Sequence, residues 1–147
     1  MTQVKRLPSP EQLVPHKAPM LLLDSISDVD EVHINAKASV AKDNPFLVPG
    51  AGLLPSALIE MVAQASAAIM GYNGYLQGAV PPMGYLVSVK DTSIDLDRPI
   101  LEGTSLEIEA NLDNVMGDFA WYKGDVRLED TIICTTTLMV FKEKSSS

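Results

Sequence analysis

The stretch "LLPSALIEMVAQASAAIMGY", residues 53 to 72, constrains the fold more than any other part of the chain. Pro55 suits a first helical position, where its missing N–H costs nothing, and the spacing predicts a helix from about residue 55 to 70, ended by "GYNG". The segment is apolar nearly all round and has no Lys or Arg, which marks a central helix wrapped by other structure. Its polar residues are not scattered: Ser56, Glu60 and Gln64 stand four apart and fall in one row on one face. Two arrangements fit that row. It faces solvent or caps a neighbouring loop, or it lines a pocket where a partly desolvated Glu60 acts as a general acid or base and Gln64 orients it by hydrogen bonding.

Strand signals surround this helix. "MLLLDSIS", residues 20 to 27, is a continuous apolar run of the kind found in buried strands. From 32 to 40, Val32, Ile34, Ala36, Ala38 and Val40 alternate with His33, Asn35, Lys37 and Ser39, a half-buried strand. "KDNPFLVPGAG" reads as loop. After the helix come four strands, near 83–96 (with a bulge), 104–112, 118–128 and 131–141. Ser9, Pro10, Glu11 and Gln12 form a short helix start, and Pro15 and Pro19 bracket an irregular "PHKAP" connector. The class is α+β, an antiparallel sheet around one long central helix. A single sheet leaves part of such a helix uncovered, and dimerisation is the natural remedy. One domain spans residues 1–147, with 1–12 as an N-terminal extension and 143–147 as a frayed tail.

The net charge of −8 and pI near 4.6 argue against a nucleic-acid partner. Cys134 is the one cysteine, so no internal disulfide forms, and no Cys/His cluster has metal-ligand spacing. The N-terminus lacks the apolar core of a signal peptide, and the polar interruptions in 53–70 argue against a membrane span; a cytoplasmic protein is expected. His33 falls on the polar face of its strand, a surface position. Cys134 is in phase with inward residues and is expected to be buried and inert. Asp24 reads as a buried hydrogen-bond anchor, and Tyr72, Tyr75 and Tyr85 as packing at the helix end or pocket mouth. His16, in the rigid connector, is either a structural histidine hydrogen-bonded to backbone or a base that swings into the site.

Three motifs in one order carry a resemblance that spans residues 13 to 141. "LVPHKAPMLLLDSI", "LPSALIEMVAQASA" and "VSVKDTSIDLDRPILEGTSLEIEANL" resemble the N-terminal signature, the central helix and the later strand pair of the hot-dog-fold beta-hydroxyacyl-acyl-carrier-protein dehydratases, in a divergent branch like that of polyene and polyketide-type pathways. The resemblance implies a hot-dog fold paired as a homodimer or higher oligomer, or as a heterodimer with a second hot-dog subunit. It implies an acyl carrier protein or CoA thioester as substrate, no cofactor beyond the phosphopantetheine that carries the acyl group, and a site shared across the pair, in which a histidine takes the alpha proton and an acid on the partner subunit's helix, at the position of Glu60 here, protonates the leaving hydroxyl. A carrier protein is typically acidic, and Lys5, Arg6, Lys17, Lys90, Arg98 and Lys123 are candidates to meet it.

The chain departs from the family pattern at two points. The family takes its base from a G-H-F-P segment, and the matching Asp43-Asn44-Pro45-Phe46-Leu47 has no histidine. The family's glycine at the helix start offers an N–H to the thioester oxygen, and the matching Pro55 has none. The catalytic candidates are therefore Glu60, His16 and Gln64, with Phe46, Leu54, Pro55, Ser56 and Tyr85 as substrate-lining positions and Gly52, Leu54 or Ser56 as sources of a backbone N–H. The expected activity is dehydration of 3-hydroxyacyl thioesters. A catalytically weak acyl-binding subunit of a heterodimer and an acyl thioesterase are the alternatives.

Overall fold

The computed structural model describes residues 7–78 and 84–143. The expectations placed on Lys5, Arg6, the start of the strand at Met83 and the tail from 144 onward lie outside these residues.

A short helix α1, Pro10–Leu13, opens the described chain, with Ser9 at its cap and the Gln12 side chain returning to the Ser9 N–H at 2.8 Å. Strands β1 (Ser25–Val29) and β2 (His33–Ser39) follow. A two-stranded hairpin, β3 (Leu47–Val48) and β4 (Gly52–Leu53), then leads into the long helix α2, Ser56–Leu76. Four strands complete the order: β5 (Gly84–Ile94), β6 (Ser105–Met116), β7 (Phe119–Leu128) and β8 (Thr131–Lys142). The six long strands form one antiparallel sheet in the order β1-β2-β6-β7-β8-β5, with α2 lying across it.

Alternation builds the core. Ile34, Ala36 and Ala38 of β2, Leu106, Ile108 and Ala110 of β6, Val126 of β7 and Leu138 of β8 are buried on the helix side. They meet Leu58, Met61, Val62, Ala65 and Ile69 of α2. Each such Leu or Ile taken out of water contributes about 1.5–3 kcal/mol. Val32, expected inward, instead sits in the β1–β2 turn and is half exposed. Gly124 of β7 lies against Val62, and a Cβ there would overlap the valine.

Three local expectations change. The run 20–24 is not a strand: pairing begins at Ser25, and Met20 is exposed. Met20 and Leu22 bond to the Gln64 side chain instead of a ladder, and of this run the Asp24 N–H reaches β2, at the Lys37 carbonyl. The helix also runs past "GYNG" to Leu76. Gly71 is there for close approach, since any Cβ would collide with the Leu13 carbonyl of α1. That packing takes in Pro8, Pro10 and Leu13, so the N-terminal segment belongs to the core from Pro8 onward. The loop 42–52 contains the small β3–β4 hairpin, too short for a periodic signal.

The two edges of the sheet differ. At one, β1 exposes Ser25, Ser27 and Asp28. At the other, β5 exposes Tyr85, Leu86, Val87, Val89 and Ile94. β5 is interrupted by two register shifts, at Leu86/Ser88 and Lys90/Ser93, the second holding Asp91 at φ 52°.

Candidate active site

Ser56, Ile59, Glu60, Ala63, Ala67, Met70 and Gly74 keep solvent access along one stripe of α2 at helical spacing, and Asn73, Tyr75 and Leu76 are also open at the end of the helix. The stripe is small or apolar except for Ser56 and Glu60. Its far end meets the apolar sheet edge, where Gly84 of β5 lies against Met70. The polar row therefore divides: Ser56 is exposed, Glu60 keeps 27% of its side-chain exposure, and Gln64 has none.

Gln64 is the joint of the site. Its Oε1 accepts from the Leu22 N–H at 2.8 Å, and its Nε2 donates to the Met20 carbonyl at 2.8 Å and to Glu60 Oε1 at 3.1 Å. One buried carboxamide thus ties the segment after "PHKAP" to the helix and fixes the Glu60 rotamer. The Ala18–Pro19 peptide is cis, and the Met20 and Leu21 N–H groups both donate to the Lys17 carbonyl. The turn so made brings His16 over α2, with Nε2 3.5 Å from Glu60 Oε1. His16 Nδ1 is buried and has no partner. The nitrogen facing Glu60 is therefore the one available to exchange a proton with it. A separation of 3.5 Å is ion-pair range, and catalytic contacts of this kind shorten when substrate excludes water.

A cavity of about 680 Å³ adjoins His16, with Val14, Pro15, Leu21 and Leu23 among its apolar walls and Glu11, Lys17 and Asp24 as its charged lining. At the helix start the backbone donors are mostly committed: Leu54 N–H to Phe46 O, Ala57 N–H to Leu54 O and Leu58 N–H to Pro55 O. Leu54 is thereby removed as an oxyanion donor, and Pro55 has no N–H. Ser56 keeps a hydroxyl one turn before Glu60. Phe46 is half-buried against the core, and Pro55 and Leu54 are exposed at the mouth of the helix. Tyr85 is placed apart from the pair, on β5, where its hydroxyl donates to Glu143 at 3.2 Å and the facing carboxylate raises its pKa.

The other candidates fall elsewhere. His33, expected on the surface, is half-buried on β2 between Asp28 (3.9 Å) and Glu109 (3.7 Å). Asp24 is an anchor but an exposed one, accepting from both the N–H and the hydroxyl of Ser39. Cys134 is buried and its thiol is pushed up to about 11, by burial first and Asp125 second. Tyr72 and Tyr75 stack with centroids 6.5 Å apart at the end of α2. Arg98 faces Glu129 and Lys123 faces Asp113, each at 3.7 Å. Among the described residues no group of His, Cys, Asp or Glu is arranged to hold a metal, and no helix is long and apolar enough to cross a membrane. The sequence signal that was missed is the double duty of Gln64. An apolar run that follows a proline-bracketed connector and lacks a strand partner needs a side chain to satisfy its backbone, and Gln64 is the buried residue able to do so.

Comparison with known proteins shows the family and the fold. Residues 8–147 match the ApeP-like family, described as ApeP dehydratase. The chain is 24% identical over 140 residues to the 3-hydroxyacyl-(acyl-carrier-protein) dehydratase FabZ of Klebsiella pneumoniae, covering 92% of this chain and 91% of that one, and equally to FabZ of Salmonella arizonae. Among solved structures it is similar to a chain of the dehydratase heterocomplex ApeI:P from Xenorhabdus doucetiae, with a TM-score of 0.85, 24% identity, and 95% and 94% of the two chains covered. It is also similar to a hypothetical thioesterase from Streptococcus pneumoniae solved with coenzyme A, with a TM-score of 0.64, 15% identity, and 84% and 88% covered. These structural likenesses carry the hot-dog fold and nothing further.

Proposed function

The chain belongs to the ApeP-like dehydratase family, and from that premise we propose that it removes water from 3-hydroxyacyl thioesters, with His16 and Glu60 as the proton-transfer groups. The observation that carries this is the 3.5 Å approach of His16 Nε2 to Glu60 Oε1 on a solvent-open helix stripe that carries no other charge. The chemistry asks for two groups side by side. A base removes the proton at C2, and an acid protonates the hydroxyl at C3, because hydroxide leaves only as water. The reacting bonds are on adjacent carbons, so an acid and a base in near contact suit a syn elimination. Ser56, one turn before Glu60, is the group on this chain placed to meet the thioester oxygen that Pro55 cannot.

The substrate carrier is an acyl carrier protein or CoA, and the FabZ relatives' name supports the carrier protein. The thiol-bearing interior, with Cys134 free and buried, suits the cytoplasm. The working unit is a pair with a second, non-identical hot-dog chain, laid along the β5 edge and the α2 stripe. Five exposed apolar side chains on one edge strand support a covered edge, and the heterocomplex among the structural matches supports a non-identical partner.

A product assay tests the activity. A 3-hydroxyacyl thioester incubated with the protein yields the enoyl thioester with its characteristic ultraviolet absorbance. Free thiol release with no enoyl product would instead make the protein a thioesterase.

A further inference from the structure

We infer that the outer face of the sheet carries a docking surface at the end where β6 turns into β7, and that its occupant is a second copy of this chain. Strand pairing defines the surface. Residues directly opposite one another on neighbouring strands share a face. Ala120 with Val140, and Tyr122 with Leu138, are such pairs, and all four are buried toward α2. Phe119, Trp121, Met139 and Phe141 alternate with them along β7 and β8 and so point to the other face. Met116 lies opposite Phe119, and Tyr85 lies opposite Phe141. These six side chains make two adjoining rows, one of them running across β6, β7, β8 and β5.

A sheet with one wet face alternates apolar-in with polar-out. The far end of this face obeys that rule, with Lys37, Glu107 and Arg127 in one cross-strand row. The near end breaks it. The chain has one Trp, four Tyr and three Phe, and four of these eight rings lie in the patch. Phe119 and Phe141 pack with centroids 5.4 Å apart, Tyr85 is half exposed, and Met116 keeps 67% of its exposure. An open apolar cluster within a charged face marks a surface that another molecule covers. The charges at its border are engaged within the chain: Lys123 faces Asp113 at 3.7 Å, and Glu143 accepts from the Tyr85 hydroxyl at 3.2 Å. A strongly charged partner gains little there, whereas a second apolar surface fits. The patch is its own complement, because a projecting thioether, Met116, stands beside a bed of rings, and sulfur against a ring is a favourable contact. A two-fold axis through the patch sets each Met116 on the rings of the other copy, as an isologous interface requires. The surface faces away from α2, so a second copy here leaves the helix stripe open. Each copy carries a net charge of −8, so added salt, by screening that repulsion, strengthens the association.

The test is sedimentation velocity of the full chain across concentration, at low and high salt, read together with the emission of Trp121, the one tryptophan. The wild type is expected to double its mass as concentration rises, at lower concentration in high salt, with Trp121 emission moving to shorter wavelength in step. Met116→Glu is expected to remove both changes. Phe119→Ser repeats the experiment should the first variant not fold, which circular dichroism reports. Leu86→Lys, on the helix-facing side of β5 opposite Val140, is the control for pairing along the β5 edge and is expected to leave the Trp121 shift in place. The inference is overturned by a wild-type mass equal to that of Met116→Glu at every concentration. It is equally overturned by a Trp121 shift that Leu86→Lys removes, or by an association that weakens as salt rises. None of these readouts involves turnover, so failure of the dehydratase reading would leave them unchanged.

Discussion

His16 and His33 are each within 4 Å of carboxylate oxygens, yet their surroundings could hardly differ more. His33 sits on a polar sheet face with a carboxylate at each ring nitrogen, both acids reachable by water, Lys37 on its own strand, and Lys123, Asp125 and Arg127 on β7, one strand beyond β6. Charges of that kind share and screen one another, and each pair is worth little. His16 meets one carboxylate, on a helix stripe with no other charge, through a loop pinned by a buried amide. A histidine–carboxylate contact is thus not a site in itself. It becomes one where a rigid frame holds it, where few charges compete, and where apolar surface is left open for a substrate.

The variants that separate these two environments have effects of graded size. Glu60→Gln removes the acid while keeping the side chain's shape, and dehydratase kcat is expected to fall by about 10²–10⁴. His16→Asn is expected to cost kcat a comparable or slightly smaller factor, whereas His33→Asn leaves kcat within about twofold; equal losses at the two histidines, in the same steady-state assay, would erase the distinction between them. Gln64→Leu strands the Leu22 N–H and the Met20 carbonyl, both now bonded to it, and lets the His16 turn drift. Chemical denaturation should show about 1–3 kcal/mol of lost stability per unpaired buried group, and kinetics a fall in kcat larger than any rise in KM. Asp28→Asn, at an exposed ion pair, is expected to change stability by at most about 1 kcal/mol, with the difference vanishing in high salt.

The smallest effect concerns pH. Asp125, beside the His33 cluster, has a carboxyl raised from its ordinary value by burial first, opposed by Arg127 and reinforced by Glu109. The folded chain therefore holds that proton to higher pH than the unfolded chain does. Its contribution to stability is present below the unfolded value and is lost as pH rises through the raised folded value. Glu109→Gln removes part of the cause and should narrow that window in urea titrations across the acid range.

Much of this architecture is legible in the residue order because it rests on periodicity. The alternation in 32–40 and 104–112 and the unbroken apolar helix required a sheet wrapped around one cylinder, and turn residues such as Glu129–Asp130 marked where strands reverse. Helix length was not legible. Gly71 looks like a stop signal, and only its packing against Leu13 shows that it serves close approach. Residues 20–24 misled for a related reason: hydrophobicity says that a backbone is buried and not what it bonds to. At the site, Glu60 and Gln64 announced themselves by spacing. The placement of His16 did not, because a proline-bounded loop has no period from which direction can be read.

The most direct test of the central claim is the initial rate of enoyl-thioester formation from a 3-hydroxyacyl-carrier-protein thioester, measured for the wild-type chain and Glu60→Gln side by side. Water loss by the wild type, with kcat at least about 10²-fold lower in the variant and KM nearly unchanged, is the expected result. Equal rates in the two proteins would contradict the claim that Glu60 takes part in moving the proton.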